Sequence, residues 1–295
     1  MVMQGVFPIL ATPFDEQDRI DAESLRRLVA FNIDAGVHGL GIALGSELLK
    51  LNEAERQQVI SIVVDQTRGR VPIVVNTGAQ SNVVANEYSR QAQDLGASAV
   101  MCMPPSPVSA TEARSYFKAI SDAVEVPVFI QDTLATPVSA GLIRQIAAES
   151  EHVRYVKVES PPQPTQVQAA FESAANLVTV FGGAGGMFFL EELRRGSLGT
   201  MPWPSQPHAF VRIWDLWRAG REAEAVEVHD REIVPLGRLS MAGLRVGHSV
   251  HKEVLRRAGV IAGSRVRAPA DPLDAITLRE LDAICERLGV GKAVV

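Results

Sequence analysis

The chain has 295 residues, 46% of them hydrophobic and 21% charged, which excludes disordered and fibrous classes and suits a globular protein with a sizeable core. A formal net charge of −5 argues against a nucleic-acid binder, whose phosphate contacts need a basic face. Two cysteines, Cys102 and Cys285, are too few for a disulfide framework and match no zinc spacing. With no basic stretch ahead of the first apolar residues, and no apolar run long enough to span a bilayer, the expectation is a cytoplasmic protein with reduced thiols and no membrane partner.

Taken in chain order, short apolar runs recur with turn residues after them. They are Gly5 to Ala11, Gly39 to Leu44, Val71 to Asn76, Ala99 to Met103, Val126 to Ile130, Val153 to Val158, Leu177 to Phe181 and Leu198 to Met201. Their near-continuous apolar character suits parallel strands buried on both faces. Helix signals fill the gaps. Asp21 precedes Ala22 to Ala35, where Leu25, Leu28, Val29 and Ile33 recur at helical spacing before Gly36. Asn52 with Glu55, and Ser109 with Glu112, have the capping-box pattern. Each repeat is long enough for a strand, a helix and two short loops, and eight of them in succession predict a (β/α)8 TIM barrel. A doubly wound open sheet shares the alternation and is the structural rival.

After Pro204 the strand signals stop. Helical stretches follow at His208 to Ala219, Ala223 to Val234, His248 to Ala258 and Leu278 to Leu288, separated by segments holding Gly237, Gly243 and Gly247. The division read from this pattern is a barrel over residues 1–205 and a C-terminal helical extension over 206–295, packed on the barrel.

Barrel active sites lie where strands end at their carboxyl side. Only five of the 29 basic residues are lysines: Lys50, Lys118, Lys157, Lys252 and Lys292. Four fall in predicted loops, helices or the tail. Lys157 instead lies inside Val153-Arg154-Tyr155-Val156-Lys157-Val158-Glu159, a buried-strand pattern. Burying an ammonium is costly unless it is paired or gives up its proton, and a desolvated amine is a nucleophile for carbonyl carbon, which arginine is not. The strand period of two puts Tyr155, Lys157 and Glu159 on one face, so a carboxylate lies beside the amine. The bland alternative is an ion pair that merely fills the barrel.

The Thr12-Pro13-Phe14 motif, the Gly45-Ser46-Glu47 turn, the Pro127-Val128-Phe129-Ile130 strand, the Lys157 strand and the trailing helices together resemble the dihydrodipicolinate synthase and N-acetylneuraminate lyase superfamily. That resemblance implies a barrel, assembled as a dimer or tetramer, that binds pyruvate or another 2-keto acid on Lys157 with no further cofactor and no metal. It assigns the turn at Gly45 and Ser46 to the keto-acid carboxylate and counts Thr12 among the substrate-binding residues. The segment Ala43-Leu44-Gly45-Ser46-Glu47 lacks the family's paired hydroxyls. Gln131 stands where the family carries a proton-shuttling tyrosine, and Met103-Pro104-Pro105-Ser106 lacks the usual aromatic.

These departures disfavour the dihydrodipicolinate synthase reaction itself. Glu159 becomes the proton-moving group, Gln131 counts with Lys157 and Glu159 among the catalytic residues, and the Gln-Asp and Lys-Val-Glu pattern fits members that dehydrate 2-keto-3-deoxy sugar acids, with aldol cleavage as the other lyase outcome. Gly182 and Gly183 open a glycine cluster where barrels often bind phosphate, or where a strand simply turns tightly into a helix. An unphosphorylated substrate is preferred. Two rivals remain: a metal-dependent lyase using Glu47, Asp132 and Glu159, and a non-catalytic keto-acid-binding homologue.

Overall fold

The computed structural model describes residues 2–241, 246–270 and 272–291; Gly243 and Lys292 lie outside them. The strands are β1 (Gly5–Val6), β2 (Leu40–Ile42), β3 (Ile73–Asn76), β4 (Ala99–Cys102), β5 (Val128–Asp132), β6 (Val153–Val158), β7 (Thr179–Gly185) and β8 (Gly199–Pro202). The helices that alternate with them are α1 (Ala22–Asp34), α2 (Glu53–Thr67), α3 (Asn82–Asp94), α4 (Ala110–Ser121), α5 (Ala140–Glu149), α6 (Gln163–Ala174), α7 (Phe189–Leu193) and α8 (Pro207–Arg218). Beyond them come α9 (Glu222–Val228), α10 (Val234–Ser240), α11 (Val246–Arg257) and α12 (Ala275–Leu288).

All the strand pairings are parallel, and the order β1-β8-β7-β6-β5-β4-β3-β2 puts the first strand beside the last. The His38 N–H donates to the Val6 carbonyl at 2.9 Å, so the sheet curls until the lead-in to β2 meets β1. A doubly wound sheet has two free edges and no such bond. The chain therefore has the (β/α)8 barrel-type fold with C-terminal helices. None of the described helices is long and apolar enough to cross a membrane.

Several strands differ from the sequence expectation, and proline explains two of them. The first ends at Val6 rather than Ala11, because Phe7 makes the last ladder bond and Pro8 has no N–H to continue it. The fifth starts two residues late, at Val128, because Pro127 cannot donate. It then runs on through Gln131 and Asp132, placing Gln131 level with Lys157 and Asp132 level with Val158. The seventh also runs further than expected, through Gly185, with its register to β8 shifting between Gly182 and Gly185.

The described chain divides into two compact units. The first comprises the described residues of Met1–Phe7, His38–Ala43 and Val71–Pro202, and holds the whole sheet with α3 to α7. On the sheet face that carries Lys157, Phe129 stacks on Tyr155 with centroids 4.4 Å apart, and Phe181 meets Phe129 edge-on at 5.5 Å and Phe7 at 5.3 Å. Burying each such ring contributes roughly 1.5–3 kcal/mol; Phe129 and Tyr155 pair in the layer before Gln131 and Lys157, and Phe181 is the register partner of Lys157 itself.

The second unit comprises Pro8–Val37, Leu44–Arg70 and the described residues of Trp203–Val295. Its helices start where the sequence signals them: Asp21 caps α1 by accepting from Ser24 N–H, and Asn52 with Glu55 closes a reciprocal capping box on α2. Leu236, Leu239, Val250, Val254, Leu281 and Cys285 make a separate apolar cluster joining α10, α11 and α12.

Candidate active site

Lys157, on β6 in the first unit, is 4% exposed. Its Nζ lies 3.0 Å from Glu159 Oε2. The period of two delivers this pairing: with Val156 and Val158 turned to the other face, Lys157 and Glu159 share one side. Two further donors fix the carboxylate, and a third group fixes one of them. Gln131 Nε2 donates to Glu159 Oε2 at 3.1 Å, the Ala184 N–H donates to Oε1 at 2.9 Å, and Asn76 Nδ2 donates to Gln131 Oε1 at 2.7 Å. Asn76 thus settles which end of the Gln131 amide faces Glu159. Burial pushes the Glu159 carboxyl up, but the Lys157 ammonium, the Gln131 amide and the Ala184 N–H more than offset it and hold the group below its ordinary range. Glu159 is therefore a carboxylate at neutral pH, 20% exposed in its side chain, beside a buried amine.

Gly182 and Gly183 serve side chains of this unit. A Cβ at Gly183 would lie 2.4 Å from Glu159 Cγ, and one at Gly182 would lie 1.7 Å from Glu192 Oε2. The cluster after them is a tight turn: Ala184, Gly185 and Gly186 all have positive φ, the Gly186 N–H bonds the Gly183 carbonyl, and the Met187 N–H bonds that of Ala184. Three of the N–H groups that a phosphate would need are thereby engaged within the protein.

Asp132 is also engaged. Its Oδ1 accepts from Val138 N–H, and its Oδ2 accepts from the N–H groups of Glu159 and Ser160 and the Ser160 hydroxyl. A carboxylate so surrounded by donors does not fit the role of metal ligand proposed in the rival reading. Its work is to hold the end of β6, which steadies Glu159.

In the second unit, Thr12, Ser46 and Gly45 come together as a tight turn. Thr12 Oγ1 donates to the Ser46 carbonyl at 2.6 Å, and the Ser46 hydroxyl donates to the Leu10 carbonyl. Both side chains are buried, and both hydroxyl protons are committed to the backbone. A Cβ at Gly45 would come within 3.0 Å of Ile9 Cγ2 and 3.3 Å of Trp203.

The neighbouring Glu47, with a left-handed φ of 56°, is caged: Lys252 and Lys50 pair with it, and the Arg267 N–H donates to it. Lys252 corrects the expectation that Lys157 alone is buried. Its side chain is 0% exposed, burial pushes its ammonium down to about 8 against the pull of Glu47, and its Nζ lies 4.6 Å from the centre of the Phe14 ring. Every residue of the run Val250-His251-Lys252-Glu253-Val254 on α11 is buried, and no local sequence signal marks it.

A parallel eight-stranded sheet of the (β/α)8 barrel type thus carries on its sixth strand a buried amine paired with a carboxylate two residues on. The chain belongs to the dihydrodipicolinate synthetase family, whose model matches residues 2–288. It is 32% identical over 294 residues to the L-2-keto-3-deoxyarabonate dehydratase of Azospirillum brasilense, covering 97% of this chain and 94% of that one. It is 30% identical over 246 residues to the 4-hydroxy-tetrahydrodipicolinate synthase of Methanopyrus kandleri, covering 80% and 81% of the two chains. The crystal structure of dihydrodipicolinate synthase from Rhodopseudomonas palustris superposes with a TM-score of 0.89 at 27% identity, covering 96% of this chain and 97% of that one.

Proposed function

We propose that this protein is a Schiff-base-forming lyase that dehydrates a 2-keto-3-deoxy sugar acid, with Lys157 as nucleophile and Glu159 as proton carrier. The observation that carries the reading is the 3.0 Å contact between the buried Lys157 amine and a carboxylate held by two independent donors. The relationship to the Azospirillum brasilense dehydratase supports this choice among lyases.

The amine attacks the keto carbon and water leaves, giving a protonated imine that acidifies the adjacent C–H. Glu159, ionised and aimed by Gln131 and Ala184, takes that proton and passes it to the hydroxyl on the next carbon, so that the resulting enamine expels it as water. Hydrolysis of the imine frees Lys157. Thr12, Gly45 and Ser46 enter as substrate-binding residues on the strength of the sequence resemblance, with the turn at Gly45 and Ser46 on the carboxylate, while Gly182 and Gly183 act by leaving room for the carboxylates of Glu192 and Glu159. The same reading includes the division at residue 205, a cytoplasmic location and a homodimer or homotetramer, with a small 2-keto acid as partner and neither nucleic acid nor membrane. Sedimentation tests the assembly, and a monomer would remove it.

The test of the chemistry is borohydride reduction after incubation with pyruvate or a 2-keto-3-deoxy sugar acid, followed by mass spectrometry of the wild type and Lys157→Ala. An adduct mapped to Lys157 is the expected result. The absence of any adduct with every keto acid tried would end the Schiff-base reading.

A further inference from the structure

Behind the glycine pair lies a second carboxyl that the chemistry above does not use. Glu192, on α7, is 0% exposed, and neither of its oxygens has a hydrogen-bond partner among the described residues. It occupies the space that a Cβ at Gly182 would take. Thr200, the register partner of Gly182 on β8, is also fully buried, and its Oγ1 is likewise unpartnered among the described residues. The next residue, Gly183, faces Glu159. Two adjacent glycines therefore separate two carboxyls of different circumstance, one paired with an ammonium and one alone.

We propose that Glu192 is a positioning residue, held as a neutral acid behind Gly182 so that Lys157 faces one negative charge, that of Glu159, and not two. A lone buried carboxyl keeps its proton because the ion cannot be desolvated without a partner. Burial pushes Glu192 up to about 8, against the Gly183 N–H, which pulls it down without making a hydrogen bond; Glu159 and Glu191 push it further up, and Lys157 pulls it down. The charged groups facing it are Lys157 and Glu159 from β6 and Glu191 from its own helix. Strands β7 and β8 carry no titratable side chain, and the one charged residue of α6, Glu172, is exposed. When Glu192 ionises, a second anion near Lys157 favours ammonium over free amine, and only the free amine attacks a carbonyl.

The inference rests on the Lys157 reading for its consequence but not for its physics, so the experiment has two arms on Glu192→Gln, which keeps the shape and removes the ionisation. In the first, the rate of borohydride-trapped pyruvate adduct formation is followed from pH 6 to 9. The ratio of variant to wild type is expected near one at pH 6 and several-fold above one at pH 9. A ratio flat across pH, or a loss at pH 6 with the melting temperature unchanged, overturns the proposal. In the second, the ligand-free protein carries carboxyl-13C glutamate, with the Glu159 resonance identified by its loss in Glu159→Gln. A step near pH 8 in the wild type, absent from Glu192→Gln, supports the coupling, and its absence from the wild type overturns it. A wild type that shows the step but takes up no pyruvate retains Glu192 as neighbour of Glu159 while the Lys157 chemistry falls.

Discussion

Each compact unit holds a buried lysine paired with a glutamate, and the two pairs are built to opposite ends. In the second unit Lys252 and Glu47 are both 0% exposed, and the ammonium also donates to the Arg265 carbonyl while lying over the Phe14 ring. Glu47 takes Lys50 and the Arg267 N–H besides. Every direction around that pair is filled by the protein, so it is a fastener between α11, the 265–267 segment and the turn after Gly45. In the first unit Lys157 has Glu159 as its side-chain partner among the described residues, and Glu159 keeps 20% of its side chain exposed. A closed pair stores its interaction in the fold. A pair with one open side can exchange it for a substrate.

Replacing each lysine breaks the comparison most sharply. Lys157→Ala is expected to abolish the trapped adduct and turnover while leaving the unfolding transition close to wild type. Lys252→Ala is expected to keep the adduct in whatever fraction remains folded, but to cost about 3–5 kcal/mol in a urea titration because it strands a buried carboxylate. If Lys252→Ala loses the adduct at full stability, the assignment of roles is wrong.

Glu159→Gln comes next. It is expected to form the pyruvate adduct but to turn over about 10²–10⁴-fold more slowly, since an amide cannot carry the proton. Because the folded carboxyl lies below its ordinary range, turnover in the wild type is retained as pH falls through the range where a free glutamate protonates, whereas the carboxylate's contribution to stability, full above that range, declines from there and is gone once the folded carboxyl itself protonates. An acid limb of kcat centred well above pH 5 would assign it to another group.

Gly183→Ala is smaller still. The added methyl lies 2.4 Å from Glu159 Cγ, and a displacement of that order is expected to cost about 10²-fold in kcat. Asn76→Ala is the mildest: losing its 2.7 Å bond to Gln131 frees the amide to flip, costing about 1 kcal/mol, a several-fold drop in kcat read from steady-state kinetics.

Much of the first unit was legible because parallel strands buried on both faces write themselves as apolar runs, and because the period of two placed Lys157 and Glu159 together. The capping boxes at Asn52 and Ser109 were equally legible, each being a contact between residues three apart. What the sequence hid were contacts across long separations. Lys252 lies on a helix where a lysine usually reaches solvent, and only the distant Glu47 and Phe14 reveal it as buried. Glu192 belongs to Leu190-Glu191-Glu192-Leu193, which reads as a solvated turn until Gly182 is brought against it. At the glycine cluster the groups brought close are the protein's own carboxylates, of Glu192 and Glu159. The fifth strand was misplaced by two residues because its apolar run begins before Pro127 while its ladder begins after it.

The space at Gly183 also constrains how such a chain can change over generations. A glutamate two residues after the lysine needs the neighbouring strand to be bare at that height, since its Cγ, Cδ and Oε1 all lie within 2.7 Å of where a Cβ at 183 would stand. The two positions are therefore linked in mutational order. A lineage that gains the carboxylate must already hold the glycine, and one that holds the carboxylate cannot exchange the glycine without losing its place. Reversion at 183 is closed for as long as Glu159 is in use.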